Sequence, residues 1–394
     1  MHITWICGAA CYLRDVIIAY DAKRLFLNHT GLGNYSRTVV GGLMSSFPDN
    51  HYLLLTPRSS REPLTEPFLQ SPLCTTCVAP RRLPGSLWRT CLEGRDAQGA
   101  GAELFHGLSG EIPIDLKRRG IPAVVTIHDV AFRTFGEMYK PIDRLIYDLK
   151  FAHAARHADR VIAISHATKR EVMKYYGIAE EKISVVYQPL QSLYYSPLSR
   201  QEALERTVRA GLDLPDRFIL YVGSVNSRKN LLGAVKAVEL LPRDARLPLV
   251  VVGGGRGRYR QQVEQYVEQH GLQSLCLWRS VADNEVLRAV YARARALLYP
   301  AFCEGIGLPV AEALLCGCPV VTSNRSALPE AAGPGGLLAN PDDPQEIADC
   351  LLRLITDDLL HDSLARAGRD YALTTFDPVR LARQMMDVYR MVVG

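Results

Sequence analysis

The chain is most informative first for what it lacks. Nowhere in its 394 residues does an Asp-x-Asp occur, so a nucleotide site built around a chelated divalent cation is not expected. Cys74-Thr75-Thr76-Cys77 has no second pair at zinc spacing, and no metal is expected there either. Of the ten cysteines, Cys7, Cys91, Cys276, Cys303 and Cys350 are scattered among apolar neighbours, and Cys316 and Cys318 share a turn. That pattern fits reduced thiols in a cytoplasmic protein rather than a disulfide framework. No run approaches the ~18–20 apolar residues of a membrane span, so any membrane contact is expected to be peripheral, through the N-terminal half, on the inner face. The apolar stretch 3–13 has no basic region before it and reads as an extension, 1–15, ahead of the first strand. Repeats, heptads and low-complexity tracts are absent from the sequence.

Charge of one sign is also scarce. Lys and Arg number 46 against 41 Asp and Glu, too small an excess to imply nucleic acid as a partner. Residues 1–190 hold 23 basic and 18 acidic side chains, whereas 191–394 hold 23 of each, so the first half carries the whole excess. Such a half suits an anionic membrane surface, a phosphorylated acceptor, or simply a solvated exterior.

What is present is an alternation of short apolar runs with longer helical patterns. The runs fall at 16–20, 52–55, 124–127, 161–164 and 183–187, then at 218–222, 249–252, 275–277, 296–299 and 319–322. Amphipathic stretches at 230–241, 258–269 and 283–294 separate the later ones. Unalternating β-branched strands joined by helices predict buried parallel sheets with helices on both faces, an α/β fold of two doubly wound Rossmann-like domains. The expected bounds are 16–195 and 205–377, with a junction between 188 and 215 and a terminal helix over 378–394. Residues 57–104, with six prolines and a Gly/Ala cluster, read as a long, partly mobile insertion.

One stretch concentrates the chemistry. Glu304 and Glu312 enclose Gly305-Ile306-Gly307-Leu308-Pro309-Val310-Ala311. Glycines let backbone N–H groups approach an anion, proline suits a first helical turn, and a helix N-terminus favours phosphate while carboxylates accept sugar hydroxyls. Locally, a loop glutamate and a solvated helix glutamate fit as well, so other residues decide. Gly223-Ser224-Val225-Asn226-Ser227-Arg228-Lys229-Asn230 follows a predicted strand, where Arg228 and Lys229 can neutralise a diphosphate or form a plain basic turn. Gly31-Leu32-Gly33 lies between the first strand and a helix expected near Ser36, but the next glycine of a dinucleotide fingerprint is missing. His128-Asp129 ends a strand, and His106 lies in a similar setting; each fits a site residue or a structural histidine.

Taken together these pieces resemble retaining glycosyltransferases of family four, with the two-domain GT-B architecture, and among them bacterial mannosyl- and rhamnosyltransferases of surface glycan synthesis. The matching segments are the loop 31–35, Thr126-Ile127-His128-Asp129, Ile164-Ser165-His166-Ala167-Thr168-Lys169, the segment 223–230, Phe302-Cys303-Glu304-Gly305 through Glu312, and Pro329-Glu330. The resemblance implies parallel sheets facing a central cleft, with a terminal helix that crosses back to the first domain. It implies Glu304 on the donor sugar, Glu312 on the ribose, Arg228 and Lys229 on the diphosphate, and the amides of Gly305, Ile306, Gly307 and Leu308 on sugar and phosphate. Gly223 lies at the donor, Gly31 and Gly33 close over the phosphates, and His128 stands beside the transferred sugar. Tyr35 and His106 are the expected acceptor contacts, and Glu330 a supporting residue. The implied reaction is metal-independent, front-face transfer of a hexose, best matched by GDP-mannose with UDP- and dTDP-sugars open, to a glycan or lipid-linked glycan. A sugar-nucleotide epimerase and a non-catalytic nucleotide-sugar-binding module are the rival readings.

Overall fold

The computed structural model describes residues 16–281 and 283–394; the extension expected at 1–15 lies outside the described residues. The first lobe holds β1 (Ile17–Asp21), β2 (His51–Thr56), β3 (Cys74–Val78), β4 (Leu104–Gly107), β5 (Ala123–Ile127), β6 (Arg160–Ala163) and β7 (Ile183–Val185). They form one sheet in the order β3-β2-β1-β4-β5-β6-β7. The second lobe holds β8 (Ile219–Val222), β9 (Leu249–Val252), β10 (Cys276–Arg279), β11 (Ala296–Tyr299), β12 (Val320–Ser323) and β13 (Gly336–Ala339), ordered β10-β9-β8-β11-β12-β13. Every pairing is parallel. The apolar runs are buried end to end in β5, β8, β9 and β11 because helices cover both faces.

In each sheet the strand order reverses once, between β1 and β4 and between β8 and β11. Connections leave such a point in opposite directions and open a crevice at the carboxyl ends of the two strands. The residues following β8 and β11, which include Arg228, Lys229 and Glu304, therefore meet by topology alone.

Segment 57–104 departs from expectation. It is not an irregular insertion: it contributes edge strand β3, paired to β2 with Leu53 opposite Thr75, and the helices Glu66–Gln70, Gly85–Cys91 and Glu93–Gly99. Trp88 within it is fully buried. β3 reads Cys-Thr-Thr-Cys-Val and is half-exposed, so it carries no apolar run. β4 offers only Leu104 and Phe105 before His106, yet it lies between β1 and β5.

The helix Pro378–Val393 starts with Asp377 accepting the Arg380 N–H at 2.6 Å and a proline in its first turn. Leu381, Met385, Met386 and Tyr389 form its buried stripe, which packs on the first-lobe helix Gly31–Ser46. Tyr389 reaches the first sheet directly, its hydroxyl 2.7 Å from His106 Nδ1 and 3.3 Å from the Tyr20 hydroxyl. A second tie runs from Glu330, whose carboxylate oxygens accept the N–H groups of His166 and Ala167 at 2.7 Å each. These are the first two amides of the first-lobe helix His166–Tyr176, orphan donors that a carboxylate at a helix N-terminus satisfies.

Candidate active site

The loop after β8 is fixed by two asparagines. Asn226 accepts the Lys229 N–H at 3.2 Å, closing a single turn over Ser227–Lys229. Asn230 adopts a left-handed conformation, φ 54°, and donates to the carbonyls of Pro300 at 3.2 Å and Pro341 at 2.7 Å. Asparagine tolerates that backbone region and here bolts the loop to the exit of β11. The Phe302 N–H donating to the Arg228 carbonyl at 2.8 Å completes the join.

Three donors converge on one oxygen as a result. Glu304 Oε1 lies 2.8 Å from Lys229 Nζ, 2.8 Å from the Tyr299 hydroxyl and 3.2 Å from an Arg228 nitrogen. Lys229 also donates to the Tyr299 hydroxyl, and Arg228 to the Cys303 carbonyl at 2.5 Å. Glu304 Oε2 has no hydrogen bond among the described residues. Burial alone would push the Glu304 carboxyl up, but Lys229 and Arg228 hold it below the usual range, so it is ionised. Burial likewise opposes charge on Arg228, and Glu304 and Asp129 more than offset it. Glu312, one turn into the helix Leu308–Leu315, accepts from the Tyr291 hydroxyl at 3.0 Å. Burial pushes its carboxyl up to about 7, against the pull of that bond and of Lys229. Gly307 precedes the helix at φ 82°, and the amides of Ile306, Gly307 and Leu308 follow Glu304 directly in the chain.

The lobes meet at Gly305. A methyl group there would overlap the His128 carbonyl oxygen, so only glycine lets the second lobe's glutamate loop sit on the end of β5. His128 Nε2 lies 3.0 Å from the Leu108 carbonyl, which can only accept; Nε2 therefore carries the proton and Nδ1 is the acceptor. Burial lowers the His128 pKa, keeping the ring neutral. Glu171 shares the neighbourhood of Asp129, and burial together with that charge pushes its carboxyl up to about 7.

Several expected residues occupy other places. Tyr35 and His106 do not line an open acceptor surface: both are fully buried, and both reach Thr126 Oγ1, at 2.9 and 2.8 Å. The Tyr35 ring meets His128 edge-on at 4.4 Å. Tyr35 thus supports His128 through its ring and shares Thr126 with His106, and burial brings His106 down to about 3, so it is neutral. Gly31 and Gly33 are not in a flexible loop, because the helix starts at Gly31 rather than near Ser36. Asn28 Oδ1 accepts the N–H groups of Thr30 and Gly33 at 2.9 and 3.1 Å, satisfying the orphan amides that would otherwise fray that turn. Gly33 is packed against the Asn28 carbonyl, and Gly31 is exposed with open space beside it. Gly223, at φ 152°, leaves β8 over the Lys229 side chain.

Residues missed in the sequence are Tyr299, Tyr291 and Ser326. Tyr299 closes β11, a strand-end position that does mark it. Ser326, at φ 57°, exchanges hydrogen bonds with the Glu304 backbone at 3.2 and 2.8 Å; nothing in its local sequence signals that contact.

Two parallel-sheet lobes with a carboxylate, a cation pair and a helix N-terminus at the second switch point define a GT-B glycosyltransferase architecture. Comparison with known proteins agrees. Residues 51–190 match the model described as Glycosyltransferase Family 4, and 205–371 that described as Glycosyl transferases group 1. The chain belongs to glycosyltransferase family four. It is 34% identical to the O-antigen chain mannosyltransferase B of Escherichia coli, over 65% of this chain and 66% of that protein. It is 28% identical to the serotype-specific mannosyltransferase WbdA of Escherichia coli, over 66% of this chain and 32% of the relative. The aligned segment thus spans about two thirds of one relative and about one third of the other. Among solved structures, Anabaena Alr3699/HepE in complex with UDP and glucose superposes with a TM-score of 0.73 at 17% identity, covering 96% of this chain and 100% of that one. WaaG, a glycosyltransferase involved in lipopolysaccharide biosynthesis, gives 0.70 at 17% identity, over 95% and 99%. Among the described residues no helix is long and apolar enough to cross a membrane.

Proposed function

We propose that the protein transfers mannose from GDP-mannose to a glycan or lipid-linked glycan, with retention of anomeric configuration and without a metal. The observation that carries this is Glu304: one oxygen is held by Lys229, Arg228 and Tyr299, and the other is open to a sugar hydroxyl. Leaving-group departure loads negative charge on the β-phosphate, where Arg228, Lys229 and the amides at the start of Leu308–Leu315 supply preorganised positive charge. Those cations take the part that a chelated ion plays elsewhere. No carboxylate is assigned as a nucleophile, so the departing phosphate oxygen accepts the proton of the acceptor hydroxyl on the same face. His128, neutral and accepting through Nδ1, orients the sugar.

The mannosyltransferase names of the E. coli relatives support the choice of sugar. Peripheral contact with the cytoplasmic membrane face is also part of the proposal, since the helix Pro141–His157 exposes Ile142, Leu145, Ile146 and Leu149 on one side. A thermal-shift panel of GDP-mannose, UDP-glucose and dTDP-rhamnose tests the donor, because selective binding stabilises the folded state in proportion to affinity. GDP-mannose is expected to give the largest shift and to be consumed slowly without acceptor. Absence of any nucleotide-sugar shift, or consumption without a change of sugar owner, overturns the reading.

A further inference from the structure

At the carboxyl ends of β1, β2 and β3 the first lobe opens a basin of about 670 Å³. Lys23, Arg58, Arg81 and Arg89 line it together with Ser59 and Ser86, and no acidic side chain does. Arg89 is buried and already paired with Asp21 and, at 3.4 Å, with Glu111. Arg58 and Arg81 are exposed and form no ion pair among the described residues, nor does Lys23. Burial, then the charges of Arg89 and Arg24, lower the Lys23 pKa. The basin is built rather than incidental: its walls at Pro57 and Gly85 approach so closely that a methyl group on Gly85 would come within 2.6 Å of the Pro57 ring.

We propose that this basin binds a phosphate or diphosphate group on the acceptor, so that the enzyme elongates a phosphate-bearing glycan. The inference rests on the transferase reading above. Two exposed arginines without an ion pair, with Lys23 beside them, match a multiply charged phosphate better than the single charge of a carboxylate, and two arginine forks with two hydroxyls supply the donor geometry. A concave basin of this size fits one group rather than a nucleic-acid track. Its place is also right for an acceptor. Every strand pairing in the first sheet is parallel, so the carboxyl ends of β1, β2 and β3 that bound the basin share one edge of the sheet with the carboxyl end of β5, which His128 follows, while the donor cations stand on the other lobe.

The test saturates the donor site with GDP and then titrates inorganic pyrophosphate by calorimetry. Pyrophosphate binding beyond the donor site is expected in the wild type, and it is expected equally in Arg228→Ala/Lys229→Ala, where the donor cations are gone and GDP is not needed to block them. In Arg58→Ala/Arg81→Ala it should weaken about tenfold to hundredfold, with partial recovery in Arg58→Lys/Arg81→Lys. A parallel arm measures sedimentation with phosphatidylglycerol vesicles. Loss of pyrophosphate binding in the alanine pair with vesicle binding retained assigns the basin to a soluble or glycan-borne phosphate, and loss of both assigns it to a lipid-linked one. Unchanged pyrophosphate affinity in the alanine pair overturns the proposal. GDP-mannose shifts and slow hydrolysis in that same pair must match the wild type; if the wild type itself shows neither, it is the transferase reading that has failed.

Discussion

In the second lobe Arg228, Lys229 and Tyr299 close on a single oxygen of Glu304, whereas the first lobe leaves comparable groups open. Beside the basin lies a smaller cavity of about 250 Å³ lined by Asp21, Arg89, Glu93, Glu111, Lys150 and His153. Glu93 Oε1 and His153 Nε2 are buried there without a hydrogen-bond partner. Burial raises Glu93 far above the ordinary carboxyl range, with Asp21 adding to it, so it is held neutral. A buried polar atom without a partner costs about 1–3 kcal/mol; in the second lobe the one such atom among the described residues, Arg288 Nε, lies outside the Glu304 cluster. On the proposed reading the second lobe is preorganised around the nucleotide-sugar, and the first keeps polar groups unspent for the acceptor.

Removing the preorganised cluster should have the largest effect. Arg228→Ala/Lys229→Ala is expected to lower kcat at least ~10³-fold, since one lost charge-stabilising donor typically costs ~10²–10³, and to abolish the GDP-dependent rise in Tm. The first-lobe pair Arg58→Ala/Arg81→Ala should leave donor hydrolysis alone. If both pairs reduce hydrolysis equally, the division of labour between the lobes is wrong.

The contact between the lobes can be broken on its own. Gly305→Ala places a methyl group against the His128 carbonyl, and the glutamate loop must retreat from β5. A displacement of about 1 Å in a catalytic arrangement can cost ~10²-fold, so transfer should fall by about that factor while binding of GDP alone changes little. Equal losses of GDP affinity and of rate would show that Gly305 shapes the donor pocket rather than joining the lobes.

The two lobes also differed in how far the sequence revealed them. The Glu304 to Glu312 segment was legible because its function needs short-range spacing: glycines, proline and carboxylates must stand within one loop and one helical turn. Arg228 and Lys229 were legible from their place after an apolar strand. Acceptor contacts had no such signature: Tyr35, read in a loop, lies buried inside the helix Gly31–Ser46, and His106, near a strand end, is covered by Tyr389 of the terminal helix. The basin is assembled from positions 23, 58, 81 and 89, on separate elements, three of them within the segment 57–104 that its prolines made look irregular. Only the basic excess of the first half hinted at it.

Glu330 tests the same contact more gently. Its two bonds to the amides of His166 and Ala167 resemble a helix cap supplied by the other lobe, worth about 0.5–2 kcal/mol. Glu330→Ala should lower Tm by a few degrees and transfer by no more than about 30-fold, with Glu330→Gln in between. An unchanged Tm would mean that the Gly305 contact and the terminal helix hold the lobes together without it.

The smallest effect is the one with the most distinctive sign. Glu312 titrates near 7 because burial outweighs the Tyr291 hydrogen bond, so over pH 8 to 6 it passes from carboxylate to acid. If Glu312 holds the ribose as proposed, only its carboxylate form accepts from both hydroxyls, and the donor KM should rise a few-fold as the pH falls. Stability runs the other way. A carboxyl whose folded pKa is raised contributes stability that is complete below its unfolded value and is lost as pH climbs through the folded one. Glu312→Gln keeps a partner for Tyr291 while removing the charge, so it should raise Tm by about 2–4 °C at pH 8, leave it nearly unchanged at pH 5, and flatten the pH dependence of KM. A variant that lowers Tm at pH 8, or keeps the wild-type KM profile, would place the titrating group elsewhere, and Glu171, also poised near 7 beside Asp129 on the first lobe, would be the next residue to change.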